Sequence, residues 1–207
     1  MSWLALLLVA AVTVPAGSTQ RILAPSPTLG TSRWVRVYLP PSYARPESAH
    51  RHYPTVYLLH GWPGSDGNWF GSGHADESTN DLIAHRAVPE VILVCPNGNC
   101  GLWARTVYMN ATKGPCRLED YLVRDLVSWV DSTYRTERSP KQRVALGLSD
   151  GGTAAFNLAI RHPDVFGGCA TMICHPSVAP TRMSTAATTA VIVGPIRSKK
   201  RIGTAFR

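Results

Sequence analysis

Val144-Ala-Leu-Gly-Leu-Ser-Asp-Gly-Gly152 is an apolar run that stops abruptly at a serine boxed by glycines. Gly147, Ser149 and Gly151 have the spacing G-x-S-x-G. That spacing suits a buried strand, Arg143 to Leu148, which turns sharply into a helix and holds the serine at the tip with its hydroxyl exposed. Glycines two places before and after the serine remove the Cβ atoms that would collide where helix and strand close on each other. A five-residue pattern of this kind also arises as an ordinary structural turn, so the flanks decide. Upstream the residues are β-prone and apolar. Downstream, Gly151 to Arg161 is Ala-rich, with Ala155, Leu158 and Ala159 at helical spacing and Pro163 just beyond the end. The reading is a nucleophile elbow with Ser149 as the nucleophile.

Working outward, the chain supplies more strands and helices in alternation. Arg33 to Pro40 alternates polar and apolar, the period of a half-buried strand, and ends at Pro40-Pro41. Residues 42–53 are polar loop. Pro54 to His60 reads as a buried strand, broken by Gly61-Trp-Pro-Gly-Ser-Asp-Gly67. Residues 68–77 read as loop, Thr79 to Val88 as a short helix, and Val91 to Cys95 as the next strand, closed by Pro96-Asn-Gly98. Leu118 to Tyr134 is amphipathic, with Leu118, Tyr121, Leu122, Leu126, Trp129, Val130, Thr133 and Tyr134 on one face. Gly168 to Ile173 is a fifth strand. This order argues for an α/β fold: a doubly wound, mostly parallel sheet with helices on both faces.

Length allows one domain with a sizeable core. The net charge of +8 is not spread along the chain. Six of those charges come from Arg182, Arg197, Lys199, Lys200, Arg201 and Arg207, and no acidic residue follows Asp164. A basic tail without interleaved aromatics does not read as a nucleic-acid site. Trp3 to Val14 is an apolar or small run followed by Pro15-Ala-Gly-Ser18, which suits residues 1–18 as a signal peptide. The run is shorter than the roughly 20 residues of a membrane span. Export would place the protein in the periplasm or outside the cell. The five cysteines fit an oxidising compartment, and a disulfide between Cys100 and Cys116 would close a loop of no regular period. Cys95, Cys169 and Cys174 read equally well as small buried residues. Asn110-Ala-Thr112 is a formal glycosylation sequon. No metal site, phosphate-binding glycine loop or flavin or nicotinamide fingerprint is present, so no cofactor is expected.

Val37-Tyr-Leu-Pro-Pro-Ser-Tyr43, Tyr53-Pro-Thr-Val-Tyr-Leu-Leu-His-Gly61, Glu119-Asp-Tyr-Leu122, Gly147-Leu-Ser-Asp-Gly-Gly152 and Arg161-His-Pro-Asp-Val-Phe-Gly167 together resemble the putative-esterase family of α/β-hydrolases. Its members include esterase D, feruloyl and acetyl-xylan esterases and the secreted mycolyltransferases. The resemblance runs from about residue 28 to 175. It implies the α/β-hydrolase fold and acyl transfer through an acyl-serine intermediate on Ser149. It also implies an oxyanion hole made by the backbone N–H groups of Trp62 and Asp150. Asp150 stands where the family usually has Met, and its carboxylate works against a nearby oxyanion. His60 precedes the serine, so it is expected to brace the oxyanion loop rather than take protons.

The family places its catalytic acid and histidine after the nucleophile, yet only residues 150–207 follow Ser149. Asp164 and His162 lie beyond the elbow helix, which carries the chain roughly 15 Å toward the opposite edge of the sheet. His175, after the fifth strand, emerges at the same edge as Ser149. The expected organisation is a signal peptide over 1–18, a partial hydrolase domain over 19–176 with its C-terminal strands incomplete, and a divergent basic tail over 177–207 that reads as truncated or frameshifted. The expected activity is hydrolysis of small-molecule or carbohydrate esters, impaired by loss of the catalytic acid and histidine. The alternatives are acyl transfer to a sugar or alcohol and a non-catalytic binding protein with the same fold. Trp62, Trp69, Phe70 and Trp103 could line an acyl or sugar platform or simply pack; none is assigned to substrate.

Overall fold

The computed structural model describes residues 15–101, 106–173 and 189–193. Within them, seven strands form one sheet in the order β1-β2-β4-β3-β5-β6-β7. The strands are β1 (Ser18–Ser26), β2 (Thr31–Leu39), β3 (Thr55–Leu59), β4 (Ile92–Pro96), β5 (Arg143–Leu148), β6 (Gly168–Ile173) and β7 (Thr189–Val193). The central four, β4, β3, β5 and β6, are mutually parallel. β1 and β2 extend one edge antiparallel, and β7 adds an antiparallel strand beyond β6. Parallel strands covered on both faces must be apolar along their whole length, which is why Ile92 to Pro96 is buried at every position.

One face of the sheet carries α3 (Leu118–Asp120), a π-helical segment (Tyr121–Leu126), α4 (Val127–Thr133) and α5 (Asp150–Arg161). Tyr57, Leu59, Val94 and Ala145 meet Tyr121, Leu122, Val130, Ala155 and Leu158 in the larger core. The other face carries α1 (Asn68–Gly71) and α2 (Ala75–Ala84). Its core of Tyr38, Leu58, Phe70, Leu93 and Cys95 is smaller. A cavity of about 650 Å³ lies over Val56, Leu58, Leu93, Leu146 and Met172 on this side.

Strands β2 to β6 and helix α5 lie where the sequence places them; four details differ. β1 is not among the strands expected from the sequence, because most of it is exposed and its first four residues are all polar, yet it pairs with β2 in register from Ser18 opposite Leu39 to Ser26 opposite Thr31. Of the expected leader over 1–18, residues 1–14 lie outside the described residues, and Ser18 already begins β1. α1 and the first turn of α2 occupy a stretch read as loop, and α2 ends at Ala84 rather than Val88. Its end is set by Arg86 at φ 56°: the Arg86 N–H bonds the Ile83 carbonyl and the Ala87 N–H bonds the Leu82 carbonyl. That pair of bonds is the left-handed stop usually built on glycine. The π-helical segment rotates the amphipathic face, so Val127 is buried while Thr133, expected inside, is exposed. β7 falls in the tail, where a single short apolar run, Ala190 to Val193, was the only regular feature.

Polar pairs lock the helical layer to the sheet. Asp125, within the π-helical segment, accepts hydrogen bonds from Ser26 Oγ (2.6 Å) and from Thr28 N–H (2.9 Å), closing the β1–β2 turn. Buried Glu119 accepts from Arg161 Nε (2.7 Å) and His162 Nε2 (2.8 Å) at the far end of α5. Burial works against its ionisation most strongly, but the bonds from His162 and Arg161 together outweigh it and hold the carboxyl below its usual pKa.

Candidate active site

The carboxyl ends of β3, β4 and β5 bring three loops together, at the edge of a parallel sheet where ligands bind. β5 leads into Ser149, which caps α5 at φ 55° and ψ −118°. A non-glycine residue in that region stores on the order of 1–3 kcal/mol of strain. The surrounding structure holds it there: Ser149 N–H donates to the Met172 carbonyl of β6 at 3.0 Å, and its own carbonyl accepts from Thr153 N–H at 3.1 Å. The glycines are required by contact. A Cβ on Gly147 would fall 2.0 Å from the Gly151 carbonyl oxygen, and one on Gly151 would fall 2.1 Å from that of Leu59. Ser149 itself is exposed.

β3 delivers Gly61 against the serine. A Cβ on Gly61 would sit 3.3 Å from Ser149 Cβ and 3.9 Å from Oγ. Trp62 follows, half-buried. Asp150, buried at 7% exposure, opens α5, so its N–H is among the amides that a helix start leaves to be satisfied from outside the helix. The structure thus brings Ser149, Gly61-Trp62 and Asp150 to one place. The positive end of α5 faces the same point.

His60 is held on both ring nitrogens. Gly98 N–H donates to Nε2 at 2.9 Å, and because a backbone amide can only donate, Nε2 carries no proton. Nδ1–H then donates to the Gly61 carbonyl, also at 2.9 Å. Burial lowers the imidazole pKa from its ordinary value, which keeps it neutral. His60 therefore fixes the β3 loop to the β4 loop and has no nitrogen left for proton transfer.

Residues that the sequence did not single out complete the brace. Tyr108, at φ 58°, packs its ring edge-on against His60 (5.3 Å) and donates its hydroxyl to the His60 carbonyl at 3.2 Å. Burial raises the Tyr108 pKa far enough that the phenol stays a donor. Gly98 is glycine because a Cβ there would lie 2.1 Å from the Tyr108 ring. Asn99 Nδ2 donates to the Gly64 carbonyl at 2.6 Å, and the Arg21 guanidinium grips buried Asp66 through Nε at 2.7 Å and Nη2 at 3.2 Å. The disulfide Cys100–Cys116 anchors the β4 loop behind them. Cys95 and Cys169 are free and buried. The sequence signals for this brace are His60, the Pro96-Asn-Gly98 turn and the Cys100–Cys116 pair, which the structure joins as expected.

The remaining candidates separate from this point. His162 bonds Glu119 at the opposite end of α5, and no described histidine bonds Ser149. His175, Cys174 and Trp103 lie outside the described residues. Phe70 is packed into the core and Trp69 packs against it. Asn110 Oδ1 accepts the Asp120 N–H at 3.2 Å, so the sequon side chain is engaged within the fold. Among the described residues no group of His, Cys, Asp and Glu could hold a metal ion. None of their helices is long and apolar enough to cross a membrane.

Comparison with known proteins bears on this geometry. Residues 26–200 match the model of the family described as Putative esterase. An endo-1,4-beta-xylanase/feruloyl esterase of Xylanibacter ruminicola is 26% identical over 155 residues, covering 73% of this chain and 21% of that protein. An esterase of Mycobacterium tuberculosis is 29% identical over 140 residues, covering 65% of this chain and 27% of its own. A ferulic acid esterase structure superposes with a TM-score of 0.68 at 26% identity, over 74% of this chain and 57% of its own. An S-formylglutathione hydrolase from Agrobacterium tumefaciens superposes with a TM-score of 0.61 at 21% identity, over 78% and 59%, and shares the fold.

Proposed function

Because the chain belongs to the putative-esterase family of α/β-hydrolases, we propose that it is a serine hydrolase of carboxylic esters, with Ser149 as nucleophile. Ser149 Oγ attacks the ester carbonyl and gives up its hydroxyl proton, the carbonyl oxygen becomes an oxyanion, and as the carbonyl re-forms the ester C–O bond breaks and the alcohol leaves with that proton. Water then releases the acid from the acyl-serine. The Trp62 and Asp150 amides receive the oxyanion, and the helix start adds its partial positive charge. The observation that carries the reading is the strained Ser149 elbow pressed against Gly61, with Asp150 opening α5 directly after it.

The chain spans only part of the length of the relatives it matches. Among the described residues no histidine bonds Ser149, and His175 lies outside them. Loss of a triad member in serine hydrolases costs on the order of 10⁴ to 10⁶ in turnover, so the rate of the native chain reports whether a base reaches Ser149. The aromatic ferulate esters named for two of the relatives are the first substrates to try. Residues 1–18 act as an export leader in this reading. The Cys100–Cys116 disulfide supports it, since such bonds persist in oxidising compartments.

The test is hydrolysis of p-nitrophenyl acetate, p-nitrophenyl butyrate and methyl ferulate by the native chain beside Ser149→Ala. Turnover that disappears in the variant supports the proposal. Equal rates in two folded proteins refute it.

A further inference from the structure

A cavity of about 360 Å³ opens beside the oxyanion loop, lined by Arg33, Trp62, Gly64, Asn97, Asn99 and Gly101 among others. It shares Trp62 and Asn99 with the small cavity that Gly61 and Asp150 line at the elbow. Anything attached to an ester whose carbonyl sits at the Trp62 amide therefore has this space next to it. Arg33 is the one charged residue among its described lining residues.

Arg33 is held in an unusual way. Its Nη2 donates to two neutral acceptors, the carbonyls of Asn97 (3.3 Å) and Asn99. Nε is buried without a partner. No described carboxylate pairs with Arg33, whereas Arg21, Arg51, Arg143 and Arg161 each hold one. A guanidinium half withdrawn from water and given only carbonyls keeps its charge, and Arg33 brings that charge to the lining of the cavity. Burial lowers its pKa from the ordinary 12.5, the direction expected of a cation without a counter-ion.

We infer that Arg33 is the specificity-determining residue of a subsite for a carboxylate carried by the ester substrate, a few bonds from the scissile carbonyl. Nη1, which bonds no described residue, donates to that carboxylate and completes the ion pair the fold leaves open. A single guanidinium balances one negative charge, so the site favours a carboxylate over a phosphate dianion. The inference rests on the esterase reading of Ser149 for the placement of the ester, but not for the binding of the anion.

The experiment uses the Ser149→Ala chain, which cannot form the acyl-enzyme, and follows tryptophan indole NMR signals on titration with succinate monomethyl ester, dimethyl succinate and methyl phosphate. The monoester should bind at least about ten-fold tighter than the neutral diester, as a charge-assisted hydrogen bond requires. Adding Arg33→Gln should abolish that preference, while Arg33→Lys, which keeps the cation, should retain part of it. Thermal unfolding checks the fold of both variants. If Arg33→Gln does not fold, the ratio of monoester to diester and the Arg33→Lys result decide alone. Equal binding of monoester and diester, a preference that survives Arg33→Gln, or tighter binding of methyl phosphate overturns the inference. Hydrolysis of p-nitrophenyl butyrate by the native chain reports the esterase reading separately. Hydrolysis without an anion preference removes only the subsite. An anion preference without hydrolysis leaves the Arg33 site standing and removes the esterase.

Discussion

The Gly98 amide donates to His60 Nε2 at 2.9 Å, and this single bond decides what His60 can do. It ties the loop after β4 to the loop after β3, so the Gly61-Trp62 segment rests on a frame in which His60 is held by a residue 38 positions further along the chain. It also fixes the tautomer, leaving an imidazole with no ring nitrogen free to act as a base.

His60 should therefore govern stability rather than proton transfer. Its replacement by Ala leaves the Gly98 N–H unsatisfied in a buried setting, a loss of roughly 1–3 kcal/mol. Burial lowers the folded-state pKa below the ordinary 6.5. As pH falls below that value, the unfolded chain takes up the proton before the folded one does. Stabilisation linked to His60 is complete above the unfolded pKa and is lost as pH falls from there toward the folded one. Thermal melts of the native chain and His60→Gln from about pH 8 to pH 5 should show a steeper acid-side decline in the native chain. Parallel declines would contradict this.

Two glycine substitutions near Ser149 should part company. Gly147→Ala places its Cβ 2.0 Å from the Gly151 carbonyl oxygen and 2.6 Å from the Gly152 nitrogen, both backbone atoms. Overpacking of that kind costs about 3 kcal/mol or more, and the variant should not fold. Gly61→Ala places its Cβ 3.2 Å from the Leu148 carbonyl oxygen and 3.3 Å from Ser149 Cβ. That chain should fold, because shifts of a few tenths of an ångström relieve the contact. Displacement of the loop from the serine should lower the reaction rate by roughly ten-fold. Circular dichroism and ester hydrolysis separate the two effects.

The Cys100–Cys116 bridge closes a loop with a sequence separation of 16. Loop-closure entropy assigns such a bond about 3 kcal/mol. The double Cys→Ser variant, or the native chain in reductant, should melt lower by about 6–12 °C for a domain of this size. Because Tyr108 stands on this loop and Gly98 lies two residues before it, the His60 brace should loosen with it. An unchanged melting point would show that the loop is held by its other bonds.

The elbow is legible in the sequence because its requirement is steric: Gly147 and Gly151 stand where a Cβ has no room, and glycine shows that directly. β3 to β6 are legible because strands buried on both faces are continuous apolar runs. β1 is not, since an exposed edge strand is held by backbone bonds to β2 that any side chains permit. The end of α2 is hidden because Arg86 occupies a left-handed position where glycine would have marked the stop. Tyr108 and Arg33 could not be read at all. Tyr108 acts through a partner 48 residues away. Arg33 looks like one polar member of an alternating strand until the β4 loop surrounds it with carbonyls.

The central claim is that Ser149 is a nucleophile, and its most direct test is covalent. The folded native chain and Ser149→Ala are each incubated with a fluorophosphonate, and the adducts are read by intact mass and peptide mapping. The account predicts one adduct in the native chain, on Ser149, and none in the variant. A native chain that stays unmodified, or a variant that is labelled equally, would contradict it.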